Sequence, residues 1–272
     1  MTTENNNCDA VLRICGARGT RQVYGQQFSI YGTNTNCYAL KYGTHGIMID
    51  CGSGFLDGVS FLSECQEIDV LLTHFHLDHI SGFLSSPGVS CKDRRVRFHG
   101  HAEGMSIKDA FNKVFTPPFW PVGVESLGIE FVDLVPGDTL KLGDNLRIET
   151  MAGNHPGGSV LYNILINNKK ISMIFDYEHN ENFSTLYPFA KDANLLFYDG
   201  TLADEEYEAF KGWGHSTWQR AVMLAKAASA KELLITHHSA RRDDDTLVAL
   251  ETLVQKEFSR CSFAREGKEY FL

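Results

Sequence analysis

Two β-sheets packed face to face, with helices on their outer faces, is the architecture this chain predicts, and three observations point to it. Twelve short runs rich in β-branched or aromatic residues are too many for one ordinary sheet. Helical periodicity is interspersed with those runs, so helices are at hand to cover the exposed sheet faces. Hydrophobic content of 43% and charged content of 22% allow a full core without a compositional seam, so residues 1–272 read as a single domain.

Residues 1–8 are polar and lack the basic start and apolar stretch of a signal peptide. No apolar run approaches membrane-spanning length, so the expectation is a cytoplasmic protein with no membrane partner. Strands are expected at 11–15, 37–42 and 46–50, the last two joined by a turn at Gly43 to Gly46. Further strands fall at 69–73, 95–99 and 129–134, with a helix at 104–115. The runs at 146–151, 159–166 and 170–175 follow, and Asn167-Asn168 reads as a hairpin turn. The last third alternates: helix 183–190, strand 195–199, helices 203–211 and 216–229, strand 232–236, helix 246–259, strand 262–271. The helix at 216 opens with the capping-box pattern Ser216-Thr217-Trp218-Gln219, and that at 246 follows Asp243-Asp244-Asp245, carboxylates suited to a helix N-terminus. Hairpins early and late make both sheets antiparallel-rich in this reading, with their loops gathered at one rim.

Seven cysteines at 8, 15, 37, 51, 65, 91 and 261 form no Cys-x-x-Cys pair, which argues against a disulfide framework and a thiolate zinc site. The net charge of −9 (25 minus 34) opposes non-specific attraction to a polyanion. Lys92, Arg94, Arg95 and Arg97 alternate before Phe98 and read as the wet face of an edge strand rather than as a nucleic-acid patch.

The chemistry concentrates in Thr73-His74-Phe75-His76-Leu77-Asp78-His79, directly after the apolar run Val70-Leu71-Leu72. Four good ligands in six residues at a strand end point to a metal site. Continuing the strand's period of two, His74 and His76 project to one side and converge on one ion. Asp78 and His79 are adjacent, so a bend at Leu77 aims them at a second position, and two metals are the economical reading. Three more residues sit at strand ends: His155, Asp176 and His237. Singly, each has a bland alternative, a turn residue, a loop cap, and a structural pair with His238. Glu178 and His179 line a pocket or form a polar turn; the residues alone do not separate these.

With Asp50 in Ile49-Asp50-Cys51-Gly52, these landmarks run in the order found in the metallo-β-lactamase superfamily, which the chain resembles over almost its whole length. The resemblance implies a four-layer αββα sandwich of two mixed β-sheets flanked by helices. It also implies that His74, His76 and His155 hold one ion, that Asp78, His79 and His237 hold the other, and that Asp176 bridges them. Asp50 would orient a ligand histidine, its alternative being a polar strand-end residue. Within the superfamily, Gly214-His215-Ser216-Thr217-Trp218 and Leu234 to Arg241 resemble the phosphodiesterase branch that includes ribonuclease Z. There His215 would touch the scissile phosphate and serve the leaving group; on the residues alone it equally precedes a helix cap.

The activity so implied is hydrolysis of a phosphodiester by hydroxide shared between two divalent ions, with Asp78 orienting the attack and His215 as acid. Five imidazoles and two carboxylates suit zinc best and also accept manganese or iron. The branch's glycine- and proline-rich arm has no counterpart in residues 100–128, where only Thr116-Pro117-Pro118-Phe119-Trp120-Pro121-Val122 stands out. With the negative charge, that directs expectation to a small, cyclic phosphodiester and makes large nucleic acid an unlikely partner. Phe115, Phe119 and Trp120 would stack on a base or pack in the core. Members of the branch are often dimers, so a homodimer is compatible. The rivals are a lactone or thioester hydrolase of the same fold, and a di-iron oxygen or redox sensor; the sensors of the flavodiiron type carry glutamate where this chain has His76.

Overall fold

The computed structural model describes residues 10–88, 94–143 and 145–272. Strands β1 (Ala10–Gly16), β2 (Cys37–Tyr42) and β3 (His45–Ile49) form an antiparallel meander. Its last turn is tight because Gly43 takes a φ of 59°, pairing Tyr42 with His45. Beyond β3 the connections become helical. Helix α1 (Phe55–Phe61) leads to β4 (Glu67–Leu71), and α2 (Leu77–Ile80) with a 3-10 segment at Ser81–Gly88 leads towards β5 (Arg95–Gly100). Helix α3 (Ile107–Val114) precedes β6 (Glu130–Asp133). Each of β4, β5 and β6 lies parallel to the strand before it, as a helical crossover requires.

The second sheet repeats that plan. Strands β7 (Thr139–Lys141), β8 (Leu146–Gly153), β9 (Ser159–Ile166) and β10 (Lys169–Ile174) pair antiparallel, with the Asn167-Asn168 turn between the last two. Then α4 (Leu186–Ala190), β11 (Leu195–Asp199), α5 (Asp204–Phe210), α6 (Trp218–Ala227), β12 (Leu233–Thr236), α7 (Asp244–Glu257) and β13 (Cys261–Phe263) add three parallel strands. Thr217 and Asp243 cap α6 and α7 by accepting from Arg220 and Thr246 backbone N–H groups. Finally β14 (Glu269–Phe271) returns to the first sheet and pairs with β1.

Both sheets have seven strands, ordered β14-β1-β2-β3-β4-β5-β6 and β13-β12-β11-β10-β9-β8-β7. They are mixed, as the resemblance implied, and not antiparallel-rich: hairpins build one half of each and helical crossovers the other. The run at 262–271 is two strands in different sheets, because Gly267, at φ 82°, turns the chain across the sandwich. Strand β5 is internal, not an edge. Its Arg95 pairs with Glu130, and Arg97 with Glu67 and the buried Asp69, so those two charges are neutralised. Lys92, Cys8 and Cys91 lie outside the described residues.

Alternation along the strands builds the four layers. Leu12, Ile14, Tyr38, Leu40, Ile47 and Ile49 meet Ile148, Tyr162, Ile164, Met173, Phe175 and Phe197 between the sheets. The neighbours on the opposite pleat, Met48, Val70 and Phe98 in one sheet and Ile174, Leu196 and Ile235 in the other, pack under helices. Burying such side chains is worth about 1.5–3 kcal/mol each. The cysteines at 15, 37, 51, 65 and 261 are buried free thiols.

Candidate metal centre

Strands β3, β4, β8, β10, β11 and β12 all end at one rim of the sandwich, and the loop that follows each carries a polar residue into it. Three of these residues leave their strands in the left-handed backbone region: Asp50 at φ 59°, Asp176 at 45° and His237 at 56°. Non-glycine residues rarely adopt it, and each costs on the order of 1 kcal/mol, so the side chains are aimed there against local preference.

The rim brings together the residues that the sequence singles out. His76 Nδ1 lies 3.0 Å from His155 Nε2. Asp176 sits centrally: its carboxylate is 3.3 Å from both His79 Nε2 and His237 Nε2, 3.8 Å from His74 Nε2 and 4.0 Å from His155 Nε2. Asp78 lies 3.5 Å from His79 and 3.3 Å from His237. His74, His76 and His155 form one close group of donor atoms, and Asp78, His79 and His237 another.

Tautomers follow from the partners of the other ring nitrogens. His79 Nδ1 donates to Asp50 Oδ2 at 2.7 Å, and His155 Nδ1 to the Gly214 carbonyl at 2.9 Å. His74 Nδ1 meets Thr73 Oγ1, whose own proton goes to Asp50, and His237 Nδ1 meets Thr201 Oγ1, whose proton goes to Asp199. In its neutral form each of these four rings therefore turns its Nε2 lone pair towards the Asp176 carboxylate. Lone pairs facing lone pairs need a cation between them. Accordingly His74 Nε2, His79 Nε2 and Asp176 Oδ1 are buried without a hydrogen-bond partner. The donors, imidazole and carboxylate with no thiolate, fit divalent metal ions.

The same buried carboxylates that would hold a cation hold imidazole protons when none is bound. Burial alone would lower His79, yet Asp176, Asp50 and Asp78 lift it well above the ordinary imidazole value. Burial raises Asp50, a rise only partly offset by His79 and Thr73. At the edge stands His215, whose Nδ1 donates to Asp199 Oδ2 at 3.0 Å and lies 3.9 Å from Asp176. Burial lowers His215, but Asp199, Asp176 and Asp78 prevail and push it up to about 9.

Sequence reasoning missed Thr73, Asp199 and Thr201. Asp199 had a readable signal, since it ends a buried strand as Asp50 and Asp176 follow theirs; the two threonines had none. His238 does not pair with His237. It turns away, meets the Ala264 carbonyl at 2.7 Å and packs against Tyr31. Glu178 serves the site indirectly: its carboxylate accepts from the backbone N–H groups of Gly212 and Gly214, the loop leading into His215. It also lines an outer recess with His179, whose ring meets Ser216. Phe115 is core, packed on Phe83 and Phe111, and Trp120 meets it edge-on while Phe119 is exposed. None of these three lines the recess beside His215. No helix among the described residues is long and apolar enough to cross a membrane.

Known proteins resemble this chain throughout. The ribonuclease Z of Gemmatimonas aurantiaca is 24% identical over 82% of this chain and 85% of its own. Among solved structures, the metallo-β-lactamase fold protein YhfI of Bacillus subtilis superposes with a TM-score of 0.76 at 20% identity, covering 97% of this chain and 99% of that one. The short form of human tRNase Z gives 0.68 at 17%, covering 96% and 98%. The similarity to ribonucleases overturns the expectation that large nucleic acid is an unlikely partner. A net charge of −9 sums the whole surface, whereas binding answers to the local field, and Arg21 and Arg241 stand exposed beside His215. A family model described as the beta-lactamase superfamily domain matches residues 45–238, and the chain belongs to that superfamily, in its metallo-β-lactamase fold.

Proposed function

We propose that this chain is a metal-dependent phosphodiester hydrolase that works with two divalent ions. The observation that carries the reading is the ring of bare imidazole nitrogens facing carboxylate oxygens, with His215 on Asp199 at its edge. His74, His76 and His155 would hold one ion, and Asp78, His79 and His237 the other, with Asp176 shared. Zinc suits this set best, with manganese or iron as substitutes. Divalent ions supply water with a lowered pKa and draw charge off the phosphoryl oxygens.

The chain's own residues do the rest. Asp78 accepts from the Thr20 backbone N–H at 2.6 Å, which fixes its carboxylate for orienting the attacking water. His215, protonated and steadied by Asp199, offsets charge on the scissile phosphate and gives its proton to the leaving alkoxide. A positioned acid of this kind contributes typically 100-fold to 10,000-fold. Glu178, by gripping Gly212 and Gly214, fixes the backbone from which His215 projects.

The phosphodiester rather than another ester is favoured by the similarity to ribonuclease Z and by the Gly214-His215-Ser216-Thr217 stretch. A recess of about 290 Å³ beside His215 accepts one nucleotide-sized unit. A small cyclic phosphodiester is the least substrate that fills it, and the end of an RNA presents a unit of the same size. The test is turnover by zinc-, manganese- or iron-loaded protein of bis-p-nitrophenyl phosphate, then of cyclic mononucleotides, cyclic phosphosugars and short RNAs. Metal-dependent phosphodiester cleavage is expected. Faster cleavage of a lactone or thioester, or a nitrosyl-iron spectrum without hydrolysis, would sink the reading.

A further inference from the structure

The recess beside His215 has a wall that the chemistry above leaves unused. Trp213 is 63% exposed, and it stands two residues from His215. Its place is not slack. Gly212 and Gly214 flank it, both at φ 86°, and both donate their N–H to the single carboxylate of Glu178, at 2.7 and 2.9 Å. Gly214 admits no side chain, since a Cβ there would stand 2.1 Å from His155 Nδ1. The loop is thus tied at both ends and displays the indole outward.

Phe210 braces the indole from one side, edge to face at 5.4 Å, and Arg241 lies over the Phe210 ring at 4.9 Å. Neither Arg241 nor Arg21, which also lines the recess, has a carboxylate partner among the described residues, whereas the neighbouring Arg242 is tied to Glu206. A free aromatic face with unpaired guanidinium groups beside it matches a nucleoside phosphate, whose base stacks and whose anion pairs.

We infer that this recess is the nucleoside subsite of the phosphodiester substrate, with the base stacked on Trp213 and its phosphate turned towards Arg241 and Arg21. The inference rests on the phosphodiester reading, but it is tested by binding rather than turnover. Isothermal titration of the metal-loaded protein with adenosine 5′-monophosphate and with ribose 5-phosphate isolates the base, because both ligands carry the same phosphate. The nucleotide should bind about tenfold more tightly. Trp213→Leu should abolish that preference and Trp213→Phe should keep most of it; the residue is exposed, so both variants fold. Equal affinities in the unaltered protein, or a preference that survives Trp213→Leu, overturn the subsite. A protein that hydrolyses no phosphodiester yet shows the Trp213-dependent preference would retain this site and lose the proposed activity.

Discussion

At the scale of single residues, the site separates groups that would touch the substrate from groups that hold the ligands. In the proposed reaction His215 belongs to the former: Asp199 holds its Nδ1 at 3.0 Å, and although it also lies close to Asp176 and His237 it is not among the six donors of the two groups described above. His215→Ala is expected to retain metal by elemental analysis while kcat on a chromogenic phosphodiester falls about 100-fold or more. Full activity in that variant would remove the acid role. Asp50 belongs to the latter: it accepts from His79 Nδ1 at 2.7 Å and from Thr73 N at 2.8 Å, and so fixes which nitrogen of His79 faces the rim. Asp50→Asn keeps the shape and loses the charge, and metal affinity by chelator competition should weaken about 10- to 100-fold. The donors themselves were legible because His and Asp recur at strand ends. Thr73, Thr201 and the Gly214 carbonyl were not, because a hydroxyl or carbonyl that selects a tautomer leaves no trace in residue type.

At the scale of elements, the strands were legible wherever alternation or an apolar run was strong, as in β2, β9 and β11. Short elements escaped. Strand β7 is three residues at a sheet edge, and α1 carries Gly58 in a seven-residue helix, too little for periodicity to register. Strand β5 misled because its arginines look solvent-facing, and Arg95 is, whereas Arg97 serves the buried Asp69 on β4. That carboxylate accepts from Arg97, His45 and His99, at 2.5 to 2.7 Å. Burial pushes Asp69 up, but these partners together pull it far below the usual carboxylate range. A carboxyl depressed on folding contributes stability above its unfolded value near 4, and that contribution fades as pH falls below it. Asp69→Asn should therefore cost about 3 kcal/mol in urea unfolding at pH 7. The deficit should shrink below about pH 4. A deficit independent of pH down to 3 would mean that Asp69 acts by packing alone.

At the scale of the whole molecule, the rim is where the two sheets meet their common task. One sheet contributes Asp50 and the His74 to His79 stretch; the other contributes His155, Asp176 and His237. Metal ions held between those sets would tie one sheet to the other at a place that protein hydrogen bonds already pin. Tyr38 meets Thr236 across the sandwich, Tyr162 OH donates to the Leu72 carbonyl at 2.6 Å, and Val160 N to Thr73 O at 2.8 Å. Because of those bonds and the apolar layer beneath them, the stripped protein should stay folded, and the ions should add stability only by mass action. At free metal 1,000 times Kd that is about 4 kcal/mol, or roughly 10 °C in Tm for a chain of this size. Calorimetry of chelator-stripped and zinc-reloaded protein measures it, and Asp176→Ala, which removes the carboxylate lying within 4.0 Å of histidines from both donor groups, should lose most of the shift. Equal Tm with and without metal in the unaltered chain would show that the facing lone pairs at the rim do not gather around a cation.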